Sequence, residues 1–271
     1  MRRREAIIAG AEFLAGFTMS AMRPADEQSP PFIPEAAITR ESVEKQFGVT
    51  LTTLQEVYSR NGKDINKDYP SLLSYPWNTY QIAWNTDNLA MAANFLSQLP
   101  PQMHQPNEKG KLVIVMGAGY FARDYQVSNP PRNIQLDASK FNPGNPKEAY
   151  SIFTHEISHT MIEPEEVKKD VKKLLGKDFK EIHDELEKRY KDKMIAYING
   201  NPPKSKELFS SRFYYSLMDK EGYEFVAIMA ELYLLGPKYF TEIYEEFFPP
   251  ATVSRLYNYT RDRFFGGNKE Y

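Results

Sequence analysis

The chain has no cysteine. Disulfides are therefore excluded, and so is any zinc site built on thiolates. Histidine is scarce, with 4 among 271 residues. A bound metal must be held by imidazole nitrogen and carboxylate oxygen. Such sites are more often catalytic than structural, because structural zinc usually takes thiolates. An excess of one charge is also lacking: 34 Lys and Arg stand against 36 Asp and Glu, a net charge of -2. That balance excludes the basic footprint of a nucleic-acid binder. No stretch beyond the N-terminus approaches the roughly 20 apolar residues of a membrane span. No internal repeat is visible. What remains is a globular chain of one large or two small domains, with 41% hydrophobic and 26% charged residues. Its 18 Tyr and 17 Phe suit a large core or a cleft that receives peptide side chains.

The N-terminus reads differently. Arg2, Arg3 and Arg4 precede a mostly small or apolar stretch from Ala6 to Met22, and Ala21 and Ala25 offer cleavage positions. This is the pattern of an export signal, in a twin-arginine or ordinary secretory form. Glu5 and Glu12 interrupt it. The alternative is an amphipathic helix at the start of a cytoplasmic protein. The expected organisation is a signal peptide over 1–24, a linker rich in Pro, Glu, Asp and Ser over 25–38, and one domain over 39–271. That domain divides into a helical part, 39–105, and a core, 106–271.

Periodicity fills in the domain. Thr39 or Ser42 caps a helical segment carrying Val43, Phe47 and Leu51. Thr86 or Asp87 starts a helix with Leu89, Ala92, Phe95 and Leu96 inward, stopped by Pro100 and Pro101. Lys111 to Met116 (KLVIVM) is the best strand, and Asn133 to Leu136 (NIQL) a second. Glu165 to about Ile198 reads as one or two amphipathic helices, with His183 on their solvated face. Glu224 to Leu235 is a strongly apolar helix that Asp219 could cap, with Gly236 at its C-cap and Pro237 beyond. Glu242 to Phe248 and Val253 to Phe265 are further helical pieces.

One short run carries chemistry: His155-Glu156-Ile157-Ser158-His159. Histidines four apart share one face of an α-helix, one turn from each other. Both imidazoles then reach one zinc ion at roughly 2.0–2.1 Å. Glu156 points to the same cleft, placed to take a proton from a zinc-bound water. The local sequence agrees with a helix. Asn145 serves as N-cap, Pro146 suits the first position, Glu148 stands where a capping box needs it, and Pro164 closes the segment.

A second run competes. Gly117-Ala118-Gly119 through Ala122 follows the best strand and fits a dinucleotide fingerprint, with Asp137 twenty residues beyond Gly117. The fingerprint needs a helix opening at the glycines. Residues 123–131, with Pro130 and Pro131, leave no room for one. The simpler reading is a Gly-rich turn between two strands.

Two histidines leave a zinc peptidase one protein ligand short. A third histidine in the metzincin register is excluded, because Ile162 and Glu165 hold the required places. Asp178 and Glu181 stand among lysines and read as solvated. Glu224 and Glu231, seven apart on one face of an apolar helix, are better sources. A carboxylate there must be paired, metal-bound or at the rim.

The segment Glu224-Phe225-Val226-Ala227 through Leu235-Gly236-Pro237-Lys238-Tyr239 resembles the second motif of the anthrax lethal factor-like peptidases, over roughly residues 85–245. The resemblance implies an α+β, zincin-like fold: a small mixed sheet with an edge strand over the zinc helix, and a mostly helical C-terminal part. It implies Glu224 as the third ligand of one zinc ion beside His155 and His159. It implies an oxyanion-donating tyrosine ahead of the second helix, which maps to Tyr215 in preference to Tyr214. Ile228 stands where the family often has a further glutamate, so that supporting role passes to Glu231 or is vacant. The implied activity is zinc-dependent endopeptidase action on a peptide or protein, with Glu156 as base. Two other readings stay open: an inactive binding protein on the zincin fold, and a dinucleotide-binding protein through Gly117 and Gly119. Oligomeric state leaves no trace in the sequence.

Overall fold

In a computed structural model, the described residues are 38–62, 83–117, 132–138, 141, 146–198 and 222–267. They fall into two compact units, one drawn from residues up to Thr160 and the other from Met161 onward. Among them no helix is long and apolar enough to cross a membrane. The architecture is α+β and mostly helical.

The first unit begins with α1, Arg40–Phe47. Thr39 is its N-cap and Ser42 completes a capping box, so both candidate residues act together. The helix buries Val43 and Phe47 and stops at Gly48. Leu51, expected on the same helix, lies instead in β1, Thr50–Thr53. The i, i+4 spacing of Val43, Phe47 and Leu51 imitates a helix, but three threonines favour extended backbone. Helix α2, Leu54–Arg60, follows at once from Thr53, its N-cap.

These elements are tied by one carboxylate. Glu56 accepts from the Arg40 guanidinium at 2.8 Å, the Thr52 hydroxyl at 2.7 Å and the Thr53 N–H at 3.0 Å. Partial burial works against its charge. The three donations outweigh that and hold the carboxyl at about 2, below the ordinary 4.5.

Helix α3, Thr86–Gln98, is capped by Asn85, one residue ahead of the expected start. It buries Leu89, Ala92, Phe95 and Leu96, as its periodicity predicts. A short α4, Pro101–His104, leads to β2, Val113–Gly117, and β3, Asn133–Asp137. The strand order is β1-β2-β3, with Thr50 opposite Val113 and Val113 opposite Asn133. Both pairings are parallel, so the described sheet is parallel, where the family resemblance implies a mixed one. The apolar run Val113–Met116 fits this, since parallel strands are covered on both faces. Leu54, Tyr58 and Val57 of α2 pack on Val113 and Val115.

Helix α5, Pro146–His159, packs against β3 and α3. Phe153 meets Phe95 and Phe141, both at 5.9 Å between ring centroids. These aromatic contacts fix α5 by its apolar side. Arg132 is fully buried beside the sheet and donates to the carbonyls of Gln105 and Met103 at 2.6 and 2.5 Å. It thereby satisfies the carboxyl end of α4.

The second unit holds α6, Pro164–Leu175, α7, Phe179–Ile198, α8, Tyr223–Tyr233, α9, Pro237–Tyr244, and α10, Pro250–Phe264. Two expected stop signals are start signals here: Pro164 opens α6 and Pro237 opens α9. Proline suits the first helical position because its missing N–H had no partner there. Helix α8 is buried from Phe225 to Leu234. Tyr233 stacks on Phe265 at 4.5 Å, and Phe225 meets Phe179 at 5.2 Å. Helix α10 is held to α6 by Tyr259, which donates to Asp170 at 2.8 Å, and by Arg263, which donates to Glu166 at 2.6 Å.

Candidate metal centre

Helix α5 buries Ala149, Tyr150, Phe153 and Ile157 and turns His155, Glu156 and His159 to a half-buried face. Thr160 ends it by donating its hydroxyl and its N–H to the Ile157 carbonyl, at 2.8 and 2.9 Å. The two histidine Nε2 atoms stand 3.2 Å apart, with ring planes at 87°. That separation tests the fit of zinc. An ion roughly 2.0–2.1 Å from each nitrogen would see them at an angle of about 100°, near the tetrahedral value. Glu156 stands on the same turn, one residue after His155.

Glu224 lies in the first turn of α8 and is half-buried. A carboxylate there complements the positive end of the helix. Gly222, not Asp219, is the N-cap, with φ 81°; Asp219 lies outside the described residues. Glu231 sits two turns on and is 2% exposed. Tyr214, Tyr215, Asn145 and Gly119 lie outside the described residues, as does the side chain of Glu148. Asp178 and Glu181 are exposed, and Asp178 pairs with Lys172 at 3.0 Å, as solvated residues should.

His183 departs from its reading as a surface residue: it is 3% exposed. It follows Phe179 by four residues and precedes Leu186 by three, so it shares the inward face of α7. The lysines and acids beside it hid that register. Its Nδ1 stands 3.0 Å from Asp184.

The Gly117 motif also reads differently. Strands β2 and β3 are parallel, and the Gly-rich turn expected between them lies outside the described residues. The register sets Gly117 beside Asp137. A Cβ at Gly117 would come within 2.3 Å of the Gln135 side-chain amide, which would have to shift to admit it.

Comparison of the chain with protein-family models, curated proteins and solved structures finds no match.

Proposed function

We propose that this protein is a zinc-dependent endopeptidase with a zincin-like fold, similar to the lethal factor-like peptidases. The observation that carries the reading is the 3.2 Å pairing of the His155 and His159 nitrogens, with Glu156 on the same turn. In this reading His155 and His159, with Glu224 as the resemblance implies, bind one zinc per chain. Bound zinc would lower the pKa of its water to about 7. Glu156 accepts the proton of the attacking water and passes it to the leaving amine. Glu231 supports a ligand from its buried place. Tyr215, outside the described residues, donates to the oxyanion.

The substrate is an extended peptide. Among the described residues β3 is paired on one side only, so its other edge offers N–H and C=O groups for strand addition. The arginine-led N-terminus supports action after export.

The test is peptide profiling by mass spectrometry with the zinc-loaded wild type and Glu156→Gln. Cleavage by the wild type is expected, with turnover at least about a hundredfold lower in the variant, which keeps its metal. A zinc-loaded wild type that cleaves no peptide would leave the inactive binding protein as the better account. One observation favours the dinucleotide reading: Gly117 and Asp137 share the carboxyl end of adjacent parallel strands, as that fingerprint requires. Saturable binding of a nicotinamide dinucleotide, lost in Asp137→Ala, would support it.

A further inference from the structure

We infer that His183, Asp184 and Glu187 form a second cation site, on α7, for a divalent metal of the zinc or manganese type. The His183 side chain is 4% exposed, and its Nδ1 faces two carboxylates that are each more than half exposed. Nδ1 stands 3.0 Å from Asp184 Oδ1 and 3.9 Å from Glu187 Oε2. One ligand atom from each residue lies within 4.8 Å of the others.

One imidazole faces two carboxylates in this cluster. Nδ1 carries at most one hydrogen, and Asp184 is placed to receive it. Glu187 at 3.9 Å is beyond hydrogen-bond reach. Among the described residues, neither carboxylate has a lysine or arginine in ion-pair range. Other acids nearby do: Asp178 pairs with Lys172, and Glu185 with Lys177. Two negative groups thus converge on a nitrogen that brings at most one positive charge. A divalent cation balances them and takes Glu187 as a ligand.

The ligand chemistry narrows the metal. Calcium and magnesium prefer oxygen alone, whereas one imidazole with two carboxylates suits zinc, manganese or iron. Packing on the inward face of α7 fixes the ring, so its ordering precedes binding. The carboxylates are solvated, and among the described residues only three protein ligands are present. The site is therefore weaker than the one proposed on α5, exchangeable, and open to water.

The experiment uses full-length His155→Ala, which lacks one ligand of the α5 site. Zinc is titrated against a chromophoric chelator, with circular dichroism as the check on folding. One saturable zinc is expected, unaffected by excess magnesium. Adding Glu187→Gln or Asp184→Asn should weaken it at least about tenfold. These surface changes leave the core intact, which His183→Ala does not. The inference is overturned if His155→Ala binds no zinc saturably, or if neither carboxylate variant weakens it. The two sites fail separately. Loss of zinc with His155→Ala alone condemns this site and spares α5. Unchanged stoichiometry on that substitution, with loss on Glu187→Gln, does the reverse.

Discussion

Gly222→Ala is the sharpest probe of how α8 is launched. Gly222 holds φ 81° as the N-cap, two residues before Glu224. A side chain in that conformation costs roughly 1–2 kcal/mol. A Cβ there would also stand 3.0 Å from Phe179 Cγ and 3.3 Å from Cδ1. The ring is buried against Phe225 and has little room to withdraw. Overpacking of this kind adds roughly 1–3 kcal/mol. The expected total is about 3 kcal/mol, a fall in Tm of roughly 6–12 °C at 2–4 °C per kcal/mol. Gly176→Ala is the control. It has φ 77° but nothing within 4 Å of the added carbon, so only the backbone cost of about 1–2 kcal/mol applies. Scanning calorimetry compares the two. Zinc titration adds a second readout, since the strain at Gly222 reaches Glu224 while that at Gly176 does not. Equal falls in Tm would refute the Phe179 argument. An unchanged zinc affinity in Gly222→Ala would separate the start of α8 from the metal.

Elemental analysis of His155→Ala after dialysis should show the tightly held zinc lost; full retention would remove α5 from the site. In a chelator competition Glu224→Ala should lose zinc at nanomolar free metal, while Glu231→Gln retains it within the 10–100-fold typical of a supporting group. The reverse order would move the ligand two turns along α8. Glu56 gives a pH test. Its folded pKa of about 2 lies below the ordinary 4.5, so its contribution is complete above about 4.5 and disappears as pH falls toward 2. The side chain is 39% exposed, and solvent screening limits that contribution to about 1 kcal/mol. Urea unfolding of Glu56→Gln should show a deficit near neutral pH that closes in acid; a deficit independent of pH would contradict the ion-pair account.

What the sequence makes legible follows from the reach of each signal. The His155–His159 spacing acts within one helical turn, and α5 realises it. Val113–Met116 announces a strand because it is a run of four apolar residues, three of them buried, in a covered sheet. Strand β1 is hidden: it has four residues, and its Leu51 continues a helical spacing from Val43 and Phe47. The parallel direction of the sheet is hidden too, because strand polarity is set by tertiary pairing and not by any local residue pattern. Pro164 and Pro237 mark boundaries correctly but do not say which side of the boundary is helical. His183 fails for a similar reason: charged neighbours dominate the local composition, while Phe179, Ile182 and Leu186 decide which face is inside.

The sheet register also orders events during folding. Strand β1 must find β2 across sixty-three residues, from Thr50 to Val113, whereas β2 and β3 are twenty apart, from Val113 to Asn133. With closure entropy growing as (3/2)RT ln n, the first pairing costs about 1 kcal/mol more than the second. On closure entropy alone the β2–β3 pair is the cheaper to form first, ahead of β1 and α2. Until they dock, Val113 and Val115 lie bare and the open side of β2 is a template for another chain's strand. Refolding yield should accordingly fall with protein concentration, and the segment Thr50–Arg60 governs how long that window stays open.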